Sequence, residues 1–193
     1  MKELALESSY ETLRAVVWDN VQNPKGTIQI AHGLVEYHGR YNDLANFLNK
    51  KLSKLKGLII PKVQKGCTHS YYMYKMRIDK NITKVSRDVI FEALKAEGVP
   101  NISKTYQNLH LLPMFQKKIA YGNKHFPWSY KYSRKNISYK KGICPNAELL
   151  NDKEYLGFEM CKSNLSSKEL KIFIKAFYKV WDNLTLLRKY KKK

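Results

Sequence analysis

The sequence predicts an α+β fold: a small mixed sheet with helices on one face, preceded by a β-rich N-terminal remnant. Two segments support this prediction. Residues 166–184 begin with a capping-box pattern, Ser166 followed by Glu169, and continue with an apolar stripe at helical spacing. Residues 67–78 are rich in the aromatic and apolar side chains that favour strands. A chain of 193 residues with 44% hydrophobic residues can bury the core of one ordinary domain.

The first 52 residues predict a strand, a turn, a second strand and a helix. Residues 13–18 are rich in β-formers, and residues 23–26 read Asn-Pro-Lys-Gly, a turn in which Pro presets φ and Gly permits a positive φ. Residues 27–31 predict a short buried strand that leads into His32. Residues 41–52 predict a helix, because apolar side chains recur at helical spacing.

The middle of the chain predicts a helix between two extended segments. Residues 79–84 are polar and turn-like. Ser86 is a suitable N-cap for a helix over residues 87–97, and Gly98 is a suitable stop. Residues 99–112 are predicted to be extended and then to form a loop.

The C-terminal third predicts an irregular segment, two helices and one strand. Residues 117–142 are aromatic, basic and without regular spacing. Residues 144–150 predict a helix with Pro145 in its first turn, and residues 157–161 predict a short strand. The final helix carries the apolar stripe Leu170, Phe173, Ile174, Phe177, Val180, Trp181 and Leu184.

Residues 1–47 resemble the opening of the α/β-hydrolase fold, in particular its monoglyceride-lipase and lysophospholipase branch. The resemblance rests on Asn23-Pro24-Lys25-Gly26, Gln29-Ile30-Ala31-His32-Gly33, Glu36-Tyr37-His38 and Arg40-Tyr41. In such enzymes the His-Gly pair lies beside the oxyanion hole. A hydrolase also needs a G-x-S-x-G nucleophile elbow, which occurs nowhere in these 193 residues. We therefore interpret His32 as a relic and expect no esterase activity.

Residues 48–187 resemble the small C-terminal domain of the DegT-type nucleotide-sugar aminotransferases, and residues 188–193 form a basic tail. Five landmarks occur in family order: 70–79 (SYYMYKMRID), 87–99 (RDVIFEALKAEGV), 109–115 (LHLLPMF), 144–148 (CPNAE) and 177–184 (FYKVWDNL). Each landmark alone is a weak signal, whereas five in the correct order are a strong one. The resemblance implies the small-domain fold of fold-type I aminotransferases.

The resemblance also implies a reaction and a cofactor. Members of this family use pyridoxal phosphate, held on a lysine of their large domain, to move an amino group onto a keto-sugar nucleotide. We expect neither a bound cofactor nor catalytic residues in this chain alone, because that large domain has no counterpart here. Activity would then require a partner, either a chain that carries the large domain or a second copy in a homodimer. The sequence is accordingly interpreted as a truncated or chimeric family member.

The resemblance marks His110 and Tyr106 as candidate substrate-binding residues. His110 lies in the Leu109-His110-Leu111-Leu112-Pro113 landmark, which aligns with the substrate-side loop of the family. A loop histidine that packs against Pro113 and Phe115 is the alternative interpretation. Tyr106 is the weaker candidate, since the family often has its tyrosine one place earlier, where this chain has Thr105.

A formal net charge of +20 raises the alternative of a basic module that binds polyanions or nucleic acid. Only six of the 36 basic side chains are Arg, the residue that specific base recognition favours, so we expect no sequence-specific nucleic-acid binding. The three cysteines form no C-x-x-C pair, which argues against zinc and favours free, buried thiols. No membrane span or secretion signal is evident, so a cytoplasmic location is expected.

Overall fold

A computed structural model describes residues 2–7, 12–17, 41–67, 69–134 and 136–190. The chain divides into two compact units, Met1–Leu34 and Val35–Lys193. In the first unit, strands β1 (Lys2–Glu7) and β2 (Thr12–Val17) pair antiparallel from Lys2 opposite Val17 to Glu7 opposite Thr12. The predicted strand over residues 27–31 and His32 lie outside the described residues.

The second unit combines short strands with helices of very different lengths. The strands are β3 (Leu58–Ile59), β4 (Tyr74–Ile78), β5 (Ile102–Ser103) and β6 (Tyr155–Phe158). The helices are α1 (Asn42–Leu52), α2 (Lys80–Thr83), α3 (Arg87–Ala96), α4 (Pro113–Lys117), α5 (Pro145–Leu149), α6 (Ser167–Asp182) and α7 (Leu184–Leu187). A π-helical turn over Leu150–Glu154 continues α5, and 3₁₀ turns cover Leu109–Leu111 and Met160–Lys162.

The described strands of the second unit form one sheet in the order β3-β4-β6-β5, and every neighbouring pair is antiparallel. The prediction of a mixed sheet was therefore wrong. Strands β4 and β5, which α3 connects, do point the same way, as in a βαβ unit. However, β6 inserts between them, so the parallel strands are never adjacent.

Alternation along β4 gives the sheet one core face. Tyr74, Met76 and Ile78 are buried, whereas Lys75 and Arg77 between them are exposed. The three longest helices, α1, α3 and α6, bury apolar residues in the same core as these strand residues. Their contributions are Ala45, Leu48 and Leu52 from α1, Ile90 and Leu94 from α3, and Phe173, Ala176, Phe177 and Val180 from α6.

Local capping signals placed the starts of two core helices, α3 and α6, correctly. The Ser86 hydroxyl accepts the Val89 N–H at 3.4 Å at the start of α3, and Gly98 follows the helix with φ of 80°. At the start of α6, the Ser166 hydroxyl accepts the Glu169 N–H, and the Glu169 carboxylate accepts the Ser166 N–H at 2.8 Å. Both halves of the predicted capping box are therefore present.

Three local predictions were wrong. The strand expected over residues 157–161 lies at Tyr155–Phe158, and Met160–Lys162 form a 3₁₀ turn instead. The strand expected over residues 67–78 begins only at Tyr74, because Tyr71 has a φ of 53°, which interrupts the extended backbone. The polar segment 79–84 is not a simple turn but contains α2, whose N-cap Asp79 accepts the Asn81 N–H at 2.8 Å.

Candidate functional site

The helical segment 145–154, formed by α5 and the π-helical turn, holds together the parts of the molecule in which the candidate residues lie. Pro145 stands at its first position, where the missing N–H costs no helical hydrogen bond. Its residues contact the loop before α4, the segment after β5 and the first residue of α3 through side chains or carbonyl groups. The segment ends where β6 begins, so the sheet fixes its position.

Glu148 is the buried acid of this segment. Its carboxylate accepts the Gly142 N–H at 2.7 and 2.9 Å and the Cys144 N–H at 3.4 Å, and it lies 2.8 Å from Nε2 of His110. Burial alone would raise the pKa of Glu148, but the hydrogen bonds from Gly142, His110 and Cys144 outweigh it, and the pKa is lowered. Glu148 is therefore a carboxylate at neutral pH.

The orientation of His110 follows from this contact. A carboxylate can only accept, so Nε2 of His110 carries a proton and donates it to Glu148. In the neutral imidazole, Nδ1 then holds a lone pair and can accept a hydrogen bond from a hydroxyl group. The backbone at this position is fixed as well, because Nε2 of Gln116 donates to the carbonyls of His110 and Tyr139, both at 2.6 Å.

Tyr106 lies after β5, beside the face of the sheet opposite to the core, which we call the open face. Its side chain is 54% exposed, its hydroxyl lies 3.1 Å from that of Tyr72, and its N–H donates to Oδ1 of Asn151 at 2.9 Å. Nζ of Lys75 lies 5.4 Å from the ring centre of Tyr106 and 5.8 Å from that of Tyr72. The hydrogen bond with Tyr106, together with burial, raises the pKa of Tyr72 to about 12, so this phenol stays protonated.

The structure attaches both predicted residues to the same helical segment, His110 through Glu148 and Tyr106 through Asn151. The alternative interpretation of His110, packing against Pro113 and Phe115, leaves out its best-defined contact, which is the hydrogen bond to Glu148. Glu148 was named only as part of a landmark and not as a functional residue. The sequence shows only that this acid lies three residues after a proline that starts a helix. It gives no sign of the contact with His110, which lies 38 residues earlier.

Arg87 holds the other side of the helical segment. This side chain is buried, and its guanidinium donates to the carbonyls of Tyr155 at 2.9 Å, Asp152 at 2.9 Å and Asn151 at 3.2 Å. It also donates to the Lys104 carbonyl after β5. One side chain therefore satisfies the carbonyl groups at the end of the π-helical turn and ties them to α3 and β5.

Gly157 has no side chain, so the ring of Tyr155 can lie against it on the face of the sheet opposite to the core. A Cβ at position 157 would lie 2.1 Å from the Tyr155 hydroxyl oxygen and 2.7 Å from its Cζ. The ring of Tyr155 therefore lies against the glycine, two residues further along the same strand. Its burial raises the pKa of this phenol.

Among the described residues of 41–190, no lysine offers a desolvated amine. In this part of the chain Lys104 and Lys118 are half-buried and the other described lysines are exposed. Within the described ranges, no group of three or more His, Cys, Asp and Glu side chains is placed to hold a metal ion. Cys67, Cys144 and Cys161 are free thiols, but the predicted burial was wrong, since Cys67 and Cys161 are exposed. None of the helices in the described part of the chain is long and apolar enough to cross a membrane.

Comparison with known proteins finds one family. The sequence pattern of the DegT/DnrJ/EryC1/StrS aminotransferase family matches residues 20–142. The matched range contains α1, all of the sheet except β6, and both His110 and Tyr106.

Two curated relatives match parts of the chain. An uncharacterized protein, MJ1066, from Methanocaldococcus jannaschii is 29% identical over 115 residues, which is 60% of this chain and 25% of the relative. The spore coat polysaccharide biosynthesis protein SpsC from Bacillus subtilis is 26% identical over 99 residues, 51% of this chain and 25% of the relative. The chain thus spans about a quarter of the length of these relatives.

A solved structure shares the fold. The aminotransferase TlmJ from Streptoalloteichus hindustanus superposes with a TM-score of 0.50 at 23% identity, over 77% of this chain and 32% of TlmJ. At this level of identity the likeness supports the fold alone.

Proposed function

The chain belongs to the DegT/DnrJ/EryC1/StrS aminotransferase family, and from that premise we propose that residues 48–187 are the substrate-side domain of a nucleotide-sugar aminotransferase. The observation that supports this role is the anchoring of His110 and Tyr106 to one helical segment, through Glu148 and Asn151. The segment holds the His110 side chain directly and the Tyr106 backbone, and residues positioned from one helical element can keep a fixed geometry toward a ligand.

His110 would contact a sugar hydroxyl, and Tyr106 would contact the ligand from the open face of the sheet. With Nε2 donating to Glu148, the neutral imidazole presents Nδ1 as an acceptor. The Tyr106 hydroxyl, paired with that of Tyr72, adds a neutral group that both donates and accepts. Neither residue moves the amino group, so both are binding residues.

The family depends in general on pyridoxal phosphate, which supplies the chemistry of amino-group transfer when it is bound. A lysine that forms a Schiff base needs a desolvated, cofactor-lined environment. The lysines described within residues 41–190 do not fit this requirement, because none of them is buried. We propose that the cofactor lysine lies in a large domain outside these 193 residues, supplied by an aminotransferase chain or within a homodimer.

The hydrolase resemblance of residues 1–47 stays a prediction. The aminotransferase-family match begins at residue 20 and therefore overlaps residues 23–41, which carry the hydrolase resemblance, and α1 packs in the core of the second unit. We interpret the N-terminal segment as part of an inactive chimera. No esterase function is expected, because the 193 residues contain no G-x-S-x-G motif.

Reductive trapping tests the proposal that the cofactor lysine lies outside these 193 residues. The purified chain would be incubated with pyridoxal phosphate, reduced with borohydride and mapped by peptide mass spectrometry. We expect low labelling spread over many exposed lysines. Near-stoichiometric labelling of one lysine would show a cofactor site within the chain and contradict the proposal.

Ligand titration tests the substrate-side role. The ring signals of His110 would be followed by NMR while a nucleotide-linked keto-sugar is added, with the free nucleotide as comparison. We expect shifts at His110 with the sugar nucleotide, and at least about tenfold weaker binding for His110→Ala, the loss of one good polar contact. The matched control is His125→Ala, which removes an exposed histidine of the loop that follows α4. Equal loss in both variants would refute the role of His110.

A further inference from the structure

The segment between α3 and α5 has an unusual charge pattern. Residues 98–147 contain no Asp or Glu but nine Lys and Arg. Six of its described cations form no ion pair with any described carboxylate: Lys117, Lys118, Lys124, Lys131, Arg134 and Lys140. Two cations of the segment do form ion pairs. Lys141 pairs with Asp152 at 2.7 Å, and Lys104 pairs with Glu92 at 3.1 Å and with Asp88 at 3.6 Å. The segment therefore attracts anions and has no carboxylate of its own to repel them.

Aromatic rings of this segment fall into two groups, and the inner group holds the loop together. Phe115, Trp128 and Tyr139 contact one another with ring centres 5.3 to 6.3 Å apart. Nε1 of Trp128 also donates to the Tyr139 hydroxyl at 2.9 Å. All three rings are half-buried, so the loop has a small core that gives its surface a defined shape.

The outer group is a continuous row of exposed rings, Tyr121, Phe126, Tyr130 and Tyr132. Successive ring centres are 6.2, 6.1 and 5.5 Å apart, at interplanar angles of 52°, 70° and 75°. Rings tilted in this way do not cover one another as stacked rings do, and their exposed fractions range from 45% to 76%. Nζ of Lys131 lies 4.8 Å from the ring centre of Tyr132, which places a cation beside the most exposed ring.

From this row and its charge we propose that the outer face of the loop binds single-stranded nucleic acid without sequence preference. Aromatic rings that stack with bases and lysines that neutralise phosphates are the two components of such sites. Four rings in a row offer contacts to more than one base, which favours a strand over a single nucleotide. Lysines in place of Arg forks fit the absence of sequence-specific binding.

Stacking separates this proposal from attraction by charge alone. Binding of a fluorescein-labelled oligothymidylate of about twelve residues would be measured by anisotropy, beside an abasic strand of equal length. We expect the abasic strand to bind at least about fivefold more weakly, because each stacked base contributes about 1–3 kcal/mol. Equal affinity for the two strands, or no binding of either, would overturn the proposal. Thymidine diphosphate that binds as tightly as the oligomer would overturn it as well, since one ring would then suffice.

Matched variants locate the site. Tyr130→Ala and Tyr132→Ala should each weaken binding at least about fivefold, while Tyr130→Phe and Tyr132→Phe retain the stacking ring and the affinity. Tyr190→Ala, which removes a tyrosine that is 60% exposed near the C-terminus, is the control and should bind as the parent does. Unchanged affinity in both alanine variants of the row would refute the site.

The salt dependence of binding reports how many phosphates the lysines neutralise. Each phosphate neutralised on a single strand contributes about 0.7 to the slope of log affinity against log salt. Lys124→Ala should therefore lower the slope by about 0.7, whereas Lys175→Ala on α6 should leave it unchanged. Equal changes for the two variants would mean that the overall charge of the protein, and not this face, attracts the strand.

Discussion

Two regions of the protein are rich in aromatic residues, yet only one of them contains rings that are almost completely buried. On α6, Phe173, Phe177 and Trp181 recur every four residues, and with Phe158 of β6 they form a chain of contacts at 4.8, 5.0 and 6.0 Å. In the loop, the four rings of the outer row are spaced irregularly along the sequence and stay exposed.

Spacing and not residue type decides which rings enter the core. Rings at positions i, i+4 and i+8 of a helix share one face, so packing of that face brings all of them against the core. Phe173 and Phe177 are buried there, and Trp181 is half-buried at the edge. The loop has no such period, and its inner group Phe115, Trp128 and Tyr139 is just large enough to fix its conformation. The four rings of the outer row contact one another but stay 45% to 76% exposed.

The largest effect should follow from Phe177→Ala on α6. Phe177 is fully buried between Phe173 and Trp181, so its truncation leaves a cavity and should lower the free energy of unfolding by about 3–5 kcal/mol. Tyr132→Ala in the loop is the matched control, with a change within about 0.5 kcal/mol. Urea denaturation of both variants measures the difference, and losses of equal size would contradict the comparison.

Arg87→Met should have the next largest effect. Methionine keeps the apolar volume but removes the donors to four carbonyl groups. The carbonyl of Tyr155 is buried, and those of Lys104, Asn151 and Asp152 are partly buried. We expect a loss of about 3 kcal/mol in the free energy of unfolding.

Arg77→Met is the control for this variant. Arg77 is 47% exposed and pairs with Glu154 at 2.7 Å, and an exposed ion pair contributes about 0–1 kcal/mol. If the two arginine variants unfold at the same urea concentration, the buried hydrogen bonds of Arg87 do not stabilise the helical segment.

Gly157→Ala tests the close contact on the open face of the sheet. The added methyl group would lie within 2.7 Å of two Tyr155 atoms, so a buried ring has to move. Overpacking of this kind costs about 1–3 kcal/mol. A double-mutant cycle with Tyr155→Leu checks the cause, since the cost of the alanine should fall when the phenol is gone. An additive cycle would assign the cost to the backbone instead.

Ser166→Ala should have the smallest effect on the core-forming helix. It removes the hydroxyl that accepts the Glu169 N–H, and the loss of an N-cap costs about 1 kcal/mol. Ser167→Ala, one residue later and exposed, is the control and should change the melting temperature little. If Ser166→Ala leaves the melting temperature unchanged, core packing alone fixes where α6 begins.

The same cap makes the stability of α6 depend on pH. Hydrogen bonds from the Ser166 hydroxyl and N–H lower the pKa of Glu169 below its ordinary value of 4.5. A lowered folded-state pKa adds stability above pH 4.5, and that stability is lost as the pH falls through the folded-state pKa. Melting temperatures between pH 6 and pH 3 (about this range) should therefore fall less steeply for Glu169→Gln than for the parent. Parallel curves would contradict the assignment.

Features specified by neighbouring residues were predictable from the sequence. The starts of α3 and α6 follow from Ser86, Ser166 and Glu169, whose hydrogen bonds span only three residues. The strand before α2 was overestimated because the positive φ of Tyr71 belongs to a residue type that rarely adopts it. The antiparallel arrangement of the sheet was not predicted, because it depends on the insertion of β6 between β4 and β5, and β6 lies far along the chain from both.

The candidate site shows the same division. His110 and Tyr106 could be selected from landmark motifs, but their partners Glu148 and Asn151 lie 38 and 45 residues further on. Arg87 looked like an ordinary first-turn residue of a helix. Its carbonyl partners are backbone groups, which carry no sequence signal, so its role became evident only in three dimensions.

The insertion of β6 between β4 and β5 also governs how the chain folds as it is synthesised. Until residue 158 leaves the ribosome, β4 and β5 each have an edge without a partner, and the nascent chain is open to wrong pairing. Closing the excursion from β5 to β6 depends only weakly on its length, at about 0.6 kcal/mol for each doubling. Residues 104–154 are therefore the part of this domain in which evolution can lengthen the chain at little cost to the sheet.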